Sequence, residues 1–412
     1  MEFLYSISIQ VVGVLIQLAS LFHPKAKAFV AGRRKIFRRL AADIPGTTPL
    51  VWVHCASLGE FEQGRPVIEA LKKEFPQVSI LLTFFSPSGY EVRKNYEQAD
   101  YVYYLPLDTA ANARKFISIT KPTLAIFVKY EFWYHYTREL QAYNIPLISI
   151  SAIFRKDQLF FQRYGGFYRK ILTHFSYFFV QNDESRHLLQ SIGVTNAKRV
   201  GDTRFDRVHH VVKQGGEIVI AQAFKNEQKC MVIGSCWQED MDVLAPFINE
   251  NKMKFIIAPH EVTESFITNL EKSLLVKSIR YSAADNKKLD DYQVLIIDNI
   301  GMLSRLYRYG EFAYIGGAFG KGLHNILEAA CYGVPILFGN KNFEKFQEAV
   351  DLINRGGAFE VSDYTDLKTK YEMLNIPENF LLACEVTRQY VEENLGATEK
   401  IMEYCRKIVA NR

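Results

Sequence analysis

Short runs of apolar residues alternate with amphipathic stretches along most of the chain, and this alternation constrains the fold more than any other feature. Helical spacing of apolar residues separates the runs, for example at Phe61–Phe75 and Asn112–Thr120. Strands that are apolar on both faces and alternate with helices are typical of a parallel sheet covered on both sides. Two series of strands are predicted, first Leu50–His54, Val78–Phe84, Tyr101–Leu105, Leu124–Val128, Leu147–Ser151 and Tyr177–Val180, then Met231–Ser235, Phe255–Ala258, Val294–Asp298, Phe312–Gly316 and Pro335–Gly339.

Two series of strands predict two doubly wound α/β domains, and a chain of 412 residues is too long for one ordinary domain. Strand patterning lapses between Val200 and Gly216, where we place the linker. The predicted domains are therefore 25–205 and 206–412, and a helical stretch at Pro377–Ile408 closes the second. Because ligands bind at the carboxyl ends of the strands in such folds, two tandem domains predict a cleft between them.

The N-terminal segment 1–24 has a different character from the rest of the chain. Phe3–Phe22 carries no charge over 20 residues, which is about the length that crosses a bilayer. Several serines and glutamines make it a weak span, and no basic segment precedes it as in a cleaved signal peptide. We predict a membrane anchor, with a helix that packs on the body or lies in the interface as the alternative.

Positive charge follows this apolar segment. Before Asp43 the only acidic residue is Glu2. A cationic segment beside an apolar helix favours an anionic membrane surface and places the remainder of the chain in the cytoplasm. The net charge of +5 is too small to indicate nucleic-acid binding, and the six scattered cysteines form no zinc-ligand spacing. The basic residues are Lys25, Lys27, Arg33, Arg34, Lys35, Arg38 and Arg39.

The first motif whose residues could take part in catalysis follows the first predicted strand. It reads His54-Cys55-Ala56-Ser57-Leu58-Gly59-Glu60. A carboxylate at a strand's carboxyl end, beside the start of a helix, can accept a proton from a nucleophilic hydroxyl. Glu60 is therefore a candidate base. The alternative is that Glu60 is a first-turn helix residue favoured by the helix dipole.

The second motif is a glycine-rich loop, Gly316–Gly322, between a predicted strand and a predicted helix. Its backbone N–H groups and the helix dipole are suited to holding a phosphate, and Lys321 adds a further donor. A purely structural glycine loop is the alternative. The candidate nucleotide-binding residues here are Gly317, His324, Asn325, Ile326, Leu327 and Glu328, with Asn342 after the next strand.

Four shorter stretches at strand ends or at the linker carry weaker signals. Each has an ordinary structural alternative: a plain loop, a structural histidine, a buried aromatic ring or a salt-bridged linker. An arginine at a domain junction can stabilise charge that develops in a cleft. The stretches are Pro259-His260, Ile300-Gly301-Met302, Lys129-Tyr130-Glu131-Phe132-Trp133 and Gly201-Asp202-Thr203-Arg204-Phe205-Asp206-Arg207.

Taken together, these stretches resemble the Kdo (3-deoxy-D-manno-octulosonic acid) transferase family, whose members have the two-domain GT-B fold. The resemblance runs from about Leu50 to Phe346. The matching motifs are Ser57-Leu58-Gly59-Glu60, Glu131-Phe132-Trp133, Gly201–Asp206, Ser235 with Glu239 and Asp240, Asn325-Ile326-Leu327-Glu328 and Asn342-Phe343.

The chain also departs from the family's pattern. An acidic residue is usual where Lys129 stands, and a glutamate is usual where Met302 stands. Pro259-His260 lacks the arginine that the family places between these residues. Tyr134-His135 replaces Pro-Asn, and Ser151-Ala152-Ile153 replaces Asn-Ala-Arg.

The resemblance implies an inverting glycosyltransferase that moves Kdo from CMP-Kdo to a lipid A precursor in lipopolysaccharide biosynthesis, on the cytoplasmic face of the inner membrane. It implies Glu60 as catalytic base, with Glu131 and Arg204 supporting the transition state. No cofactor or metal is expected, because no paired carboxylates stand at a strand end. Two alternatives remain: a GT-B transferase or epimerase with another nucleotide sugar, and a non-catalytic membrane scaffold. The implied nucleotide-sugar-binding residues are Ser235, Pro259, His260, Ile300, Gly301, Met302, Gly317, His324, Asn325, Ile326, Leu327, Glu328 and Asn342.

Overall fold

The computed structural model describes residues 1–285 and 287–410, which divide into two compact units. The first unit comprises Met1–Asp206 and the segment that begins at Asn394, and the second comprises Arg207–Glu393. The prediction that all of 206–412 belongs to the second domain is therefore wrong for the C-terminal segment.

The first unit is built on a sheet of seven parallel strands in the order β3-β2-β1-β4-β5-β6-β7. The chain winds outward from β1 in one direction and then from β4 in the other. The carboxyl ends of β1 and β4 are therefore neighbours. The strands are β1 (Leu50–Cys55), β2 (Ser79–Phe84), β3 (Tyr101–Tyr104), β4 (Leu124–Val128), β5 (Leu147–Ala152), β6 (Tyr177–Val180) and β7 (Ala197–Arg199).

The second unit also has a sheet of seven parallel strands, in the order β10-β11-β9-β8-β12-β13-β14. Here β8 and β12 form the central pair at which the winding direction reverses. The strands are β8 (Cys230–Cys236), β9 (Lys254–Pro259), β10 (Ser278–Arg280), β11 (Val294–Ile296), β12 (Phe312–Ile315), β13 (Ile336–Gly339) and β14 (Ala358–Val361).

Helices cover the sheets, as the fully buried strands require. In the described part of the chain, short 3-10 helices supplement them at Leu159–Phe161, Tyr281–Ala283, Leu289–Asp291 and Tyr307–Tyr309. The α-helices are α1 (Glu2–Ala19), α2 (Pro24–Gly32), α3 (Ile36–Asp43), α4 (Leu58–Glu74), α5 (Pro87–Arg93), α6 (Ala110–Thr120), α7 (Tyr134–Ala142), α8 (Gly166–Leu172), α9 (Asp183–Ser191), α10 (Thr203–Gln214), α11 (Val219–Lys225), α12 (Gln238–Glu250), α13 (Glu264–Ser273), α14 (Leu303–Leu306), α15 (Leu327–Ala330), α16 (Gln347–Arg355), α17 (Tyr364–Leu374), α18 (Pro377–Glu393) and α19 (Ala397–Val409).

All eleven predicted strands are present within a residue or two of their predicted ends. The three strands that sequence reasoning missed, β7, β10 and β14, lie at sheet edges and have only three or four residues. Such strands carry too few buried apolar positions to produce a recognisable pattern, as the partly exposed Ala-Lys-Arg of β7 illustrates. The stretch predicted as a linker is mostly helical, in α10.

Helix α19 explains why the C-terminal segment returns to the first unit. Its apolar side chains, among them Ile401 and Cys405, belong to the same buried cluster as residues of β1 and α4. The Asp206 carboxylate accepts hydrogen bonds from the backbone N–H groups of Gly396 and Thr398, each at 2.6 Å. The predicted single helix is thus two helices, separated at Gly396 in the left-handed conformation with φ 89°.

Helix α1 packs on the first unit along one side. Tyr5 donates a hydrogen bond to Asp108 at 2.6 Å, and Arg138 donates one to Glu2 at 2.6 Å. Gly13 is buried, and a Cβ there would lie 2.8 Å from Leu107. The other side of the helix is apolar and exposed, for example Phe3 at 74%. Within residues 1–285 and 287–410, α1 is the one helix long and apolar enough, by length and composition, to cross a membrane.

Two of the basic residues assigned to the membrane surface make internal contacts instead. The Arg33 guanidinium donates hydrogen bonds to the backbone carbonyls of Leu105 and Phe85, at 2.8 and 2.7 Å. Arg39 donates to the carbonyl of Gly32 at 2.5 Å. The exposed basic residues of the segment are Lys25, Lys27, Arg34, Lys35 and Arg38.

Candidate active site

The first unit places Glu60 and Glu131 just beyond the carboxyl ends of the neighbouring strands β1 and β4. Both carboxylates lie close enough to the buried Cys55 to affect its pKa. Burial is the main cause that raises the pKa of this thiol, and Glu60 and Glu131 raise it further. The structure therefore brings the two predicted carboxylates to one edge of the sheet.

Glu60 stands at the third position of α4 and forms a capping box with Ser57. Its Oε2 accepts hydrogen bonds from the Ser57 backbone N–H, at 3.0 Å, and from the Ser57 hydroxyl. The helix-stabilising alternative is thus realised in the structure. A capping box leaves the carboxylate at the helix start, so the structural position and a role as base are compatible.

Glu131 belongs to a network of buried side chains. Its Oε2 accepts hydrogen bonds from His54 Nε2 at 3.0 Å and from Trp133 Nε1 at 2.6 Å. His54 is fully buried and Glu131 is 8% exposed. On its other side, His54 Nδ1 lies 2.9 Å from the Thr83 hydroxyl oxygen, which accepts a hydrogen bond from the Trp52 indole at 2.8 Å.

An ionised carboxylate only accepts hydrogen bonds, so His54 Nε2 donates to the ionised form of Glu131. On the other side of the ring, Nδ1 lies 3.1 Å from the Thr83 backbone carbonyl oxygen as well as near the Thr83 hydroxyl. Trp133, in addition, packs its ring on Phe85 at 4.7 Å between centroids. Sequence reasoning missed the roles of His54 and Thr83; the signal available was a histidine inside an otherwise apolar strand.

Arg204 is paired within the first unit. Its Nε and a terminal nitrogen lie 3.0 and 2.9 Å from Asp202 Oδ2, which also accepts from Gln63 Nε2 at 2.7 Å. Burial opposes ionisation of Asp202, but the Arg204 guanidinium outweighs it, and the pKa of this carboxyl lies below its usual value. The salt-bridged alternative is therefore the arrangement present, at the first turn of α10.

The second unit collects its predicted residues on loops at the carboxyl edge of its sheet. Gly317 follows β12 with φ 94°, and a Cβ there would lie 2.5 Å from the Gly322 carbonyl oxygen. The buried Asp240 holds this loop by accepting from the Gly317 N–H at 2.9 Å and from the Trp237 N–H at 2.8 Å. The glycine is required here by both its backbone conformation and the close approach.

The helix expected after the glycine loop is much shorter than the sequence indicates. It has four residues, Leu327–Ala330, and Asn325 accepts a hydrogen bond from the Leu327 N–H at 3.3 Å. One turn of helix has only a small summed dipole. The expectation that a helix N-terminus holds the phosphate is therefore not supported.

Three aromatic side chains of the second unit form a stack. Trp237 lies 4.2 Å from His260 between ring centroids, and His260 lies 4.5 Å from His324. Trp237 Nε1 donates a hydrogen bond to His324 Nε2 at 3.0 Å, and the Lys321 ammonium stands 3.8 Å from the centre of the Trp237 ring. Trp237 is a residue that sequence reasoning did not select.

The remaining predicted nucleotide residues lie on the same edge. Asn342 donates to the carbonyls of Ala318 and Gly320, at 3.3 and 2.9 Å, and so shapes the glycine loop. Asn325 donates to Glu328 at 3.1 Å. The others follow or end strands: Ser235 in β8, Pro259 at the end of β9, Ile300, Gly301 and Met302 after β11, and Ile326 and Leu327 at the start of α15. In residues 1–285 and 287–410 no group of three or more His, Cys, Asp or Glu side chains is arranged to hold a metal ion.

The family model for 3-Deoxy-D-manno-octulosonic-acid transferase (kdotransferase) matches residues 31–207. Curated relatives extend the similarity over most of the chain. The transferase of this name from Aquifex aeolicus is 28% identical over 366 residues, which cover 86% of this chain and 94% of the relative. That from Rickettsia felis is 27% identical over 372 residues, with coverages of 87% and 79%. The chain is thus similar to Kdo transferases, through the family model over residues 31–207 and through these relatives over most of its length.

Solved structures confirm the fold class. UDP-GlcNAc 2-epimerase from Neisseria meningitidis aligns with a TM-score of 0.60 at 16% identity and covers 87% of this chain and 100% of its own. MurG from Acinetobacter baumannii aligns with a TM-score of 0.57 at 11% identity, with coverages of 87% and 99%. At these identities the likeness shows the fold alone. The chain is thus built from two parallel-sheet α/β domains of the GT-B type.

The residues matched by the family model and the candidate catalytic side chains lie in the same part of the first unit. Residues 31–207 include Glu60, Glu131 and Arg204, together with His54 and Thr83, which complete the buried network. Helix α1 and all of the predicted nucleotide-binding residues lie outside the matched residues. The roles of individual residues therefore rest on their geometry.

Proposed function

We propose that this chain transfers Kdo from CMP-Kdo to a lipid A precursor, with inversion at the anomeric carbon, at the cytoplasmic face of the inner membrane. The observation that carries the proposal is the pair of carboxylates, Glu60 and Glu131, at neighbouring strand ends inside the domain matched by the family. Both relatives described above are named as Kdo transferases, which supports Kdo as the sugar that is transferred.

Glu60 acts as the base in this proposal. The acceptor's 6′-hydroxyl gives its proton to the Glu60 carboxylate while its oxygen forms a bond to the anomeric carbon of Kdo. The bond from that carbon to the phosphate oxygen breaks, and CMP leaves with the electron pair. Hydrogen bonds from Ser57 orient the carboxylate, so its geometry is set before the acceptor binds.

Glu131 provides a fixed negative charge near this step. Because His54 and Trp133 both donate to one of its oxygens, the carboxylate is held without relying on solvent. A preorganised charge needs no rearrangement as positive character develops on the sugar in the transition state. Arg204 is similarly held by Asp202.

The lipid character of the acceptor is supported by the surroundings of α1. A cavity of about 520 Å³ is lined by Tyr5 and Ile9 of α1 and by Tyr130, Phe132 and Trp133 beside Glu131. It therefore connects the apolar helix with the catalytic motif. Exposed apolar residues of α1 and the exposed lysines and arginines that follow it suit a bilayer with anionic lipids.

The direct test is transfer of Kdo, from CMP-Kdo generated in situ, to a tetra-acylated lipid A precursor, read by mass spectrometry of the lipid. The expected result is a mass increase of one or more Kdo units, which disappears with Glu60→Gln. If the mass of the lipid does not increase with folded, membrane-incorporated protein, the result would argue first against the proposed acceptor.

Two further measurements separate the alternatives. Competition of CMP and UDP for binding distinguishes a CMP-sugar transferase from an enzyme that uses UDP-sugars. Tight CMP binding without turnover on any lipid acceptor would instead indicate a non-catalytic scaffold. The match to a transferase family favours the enzyme.

A further inference from the structure

The stack of Trp237, His260 and His324 has an unusual feature for a group that is to meet a phosphate. The Trp237 indole, which can only donate, donates to His324 Nε2. That nitrogen is therefore an acceptor, and the His324 ring is neutral with its proton on Nδ1. In this arrangement the Nε2 side of His324 offers an anion no donor.

The surroundings of the stack also disfavour a charged imidazole when no anion is present. Burial, with a smaller contribution from His260, lowers the pKa of His324 to about 4. Partial burial likewise lowers the pKa of His260, against the raising effect of Glu261 and with the lowering effect of Lys321. Both rings are thus held neutral near pH 7.

Other charged groups near the stack are few and are placed around the glycine loop. The Lys321 ammonium faces the Trp237 ring at 3.8 Å. A Cβ built on Gly322 would lie 3.1 Å from the Lys345 ammonium, and one on Gly320 would lie 3.4 Å from a Glu239 carboxylate oxygen. Asp240 is turned into the loop and accepts from the Gly317 N–H. Lys321 and Lys345 therefore bring positive charge to the glycine loop.

We propose that the Trp237–His260–His324 stack is an anion site that takes up a proton from solvent as a phosphate monoester binds: His324 becomes protonated at Nε2, and the Trp237 indole is displaced from that nitrogen. The inference rests on the proposed function, because the phosphate monoester is that of CMP, the leaving group of the transfer. The proton comes from solvent and forms the Nε2–H bond, which then donates to a phosphate oxygen. No covalent bond of the nucleotide changes.

Two physical effects drive this coupling. A doubly charged phosphate within hydrogen-bonding distance stabilises an imidazolium far more than a neutral ring, so it raises the pKa of His324 towards neutrality. A protonated Nε2 cannot accept from the indole, because two donors would then face each other. Proton uptake and release of Trp237 are therefore one event, and Trp237 acts as a positioning residue that opposes binding.

The test is calorimetry of CMP binding to the full chain near pH 7, in two buffers with different enthalpies of ionisation. The expected uptake is roughly half a proton to one proton per CMP bound. His324→Gln keeps a donor but cannot titrate, so it binds CMP without this uptake. The difference between the two proteins removes the proton change of CMP itself, and cytidine, which lacks the phosphate, should cause no uptake.

Trp237→Phe tests the opposing role of the indole. Removing a hydrogen bond that stabilises the unliganded state should tighten CMP binding by about five-fold. Weakening by the same factor would show that the indole contributes to binding, and would overturn this part of the inference. CMP binding with equal proton uptake in wild type and His324→Gln would overturn the site while leaving the proposed function intact. Failure of wild type to bind CMP at all would overturn both.

Discussion

The two units prepare their candidate sites in different ways. In the first, Glu131 and His54 are buried and joined to Trp133 and Thr83 by hydrogen bonds between side chains. In the second, His260 is exposed, and hydrogen bonds of the glycine loop's backbone determine the shape of the site. A group that stabilises a transition state gains from rigidity, whereas a site that must bind and release a nucleotide gains from groups that can change partner and charge.

The largest effect is expected for Glu60→Gln, which tests whether the first site is catalytic at all. Glutamine can keep the capping box with Ser57 but cannot accept the proton, so kcat should fall roughly 10²–10⁴-fold with little loss of stability. Kdo transfer and thermal unfolding measure the two quantities. The matched control is Glu62→Gln in the same helix, where the carboxylate pairs with Arg93 at the surface. Turnover of Glu60→Gln within about tenfold of wild type would exclude Glu60 as the base.

Glu131→Gln tests whether the buried hydrogen-bond network holds the first site rigid. The substitution removes the fixed charge and leaves one donor of the network poorly matched, so kcat should fall on the order of 10²-fold. The free energy of unfolding should fall by about 1–3 kcal/mol. Glu139→Gln is the control, because Glu139 is similarly buried at 7% exposure but pairs with Arg138. Equal losses of activity in both variants would argue for a general structural effect.

Gly317→Ala tests whether backbone geometry determines the second site. With φ 94° and a contact of 2.5 Å to Gly322, the added methyl group strains the loop and should lower the free energy of unfolding by about 1–3 kcal/mol. CMP binding should weaken at the same time. Gly320→Ala is the control, since its nearest neighbour at 3.4 Å is the end of the flexible Glu239 side chain. Urea unfolding and CMP titration distinguish the pair; identical behaviour of the two variants would refute the prediction.

The smallest expected effect concerns pH and compares one histidine from each unit. Burial lowers the pKa of both His174 and His324 to about 4. Between pH 4 and pH 6.5 the unfolded chain therefore binds more protons at these sites, so each contributes stability that is lost as pH falls through this window. Asp108 acts in the opposite direction, because burial raises its pKa to about 6.

The measurement is the midpoint of urea unfolding across this window. His174→Gln and His324→Gln should each reduce the rise of stability with pH, and Asp108→Asn should steepen it. An unchanged slope in His324→Gln would mean that folding does not lower the pKa of this ring. That result would also remove the basis for proton uptake on CMP binding.

The sequence predicted those features of the site that depend on neighbouring residues better than those that depend on distant ones. Glu60 and Glu131 were located because each follows an apolar run closely, and neighbouring parallel strands end at one edge. The glycine loop was located in the same way. The short length of α15 was missed, because the apolar residues after Leu327 fit a helix as well as a turn packed on the sheet. Arg33 and Arg39 were assigned to the membrane surface because a charge pattern does not show which carbonyl groups a guanidinium will meet.

The sequence by itself determined the fold class, because apolar periodicity records which residues must leave water, and it located the candidate side chains at the strand ends. Only the tertiary structure decided the partners of those side chains. Thr83 lies 29 residues from His54, and His324 lies 87 residues from Trp237, so no local spacing predicts either contact. The return of α19 to the first unit has the same origin. The sequence shows residue by residue which side chains are apolar and must be buried, whereas hydrogen-bond partners depend on how distant segments of the chain pack together.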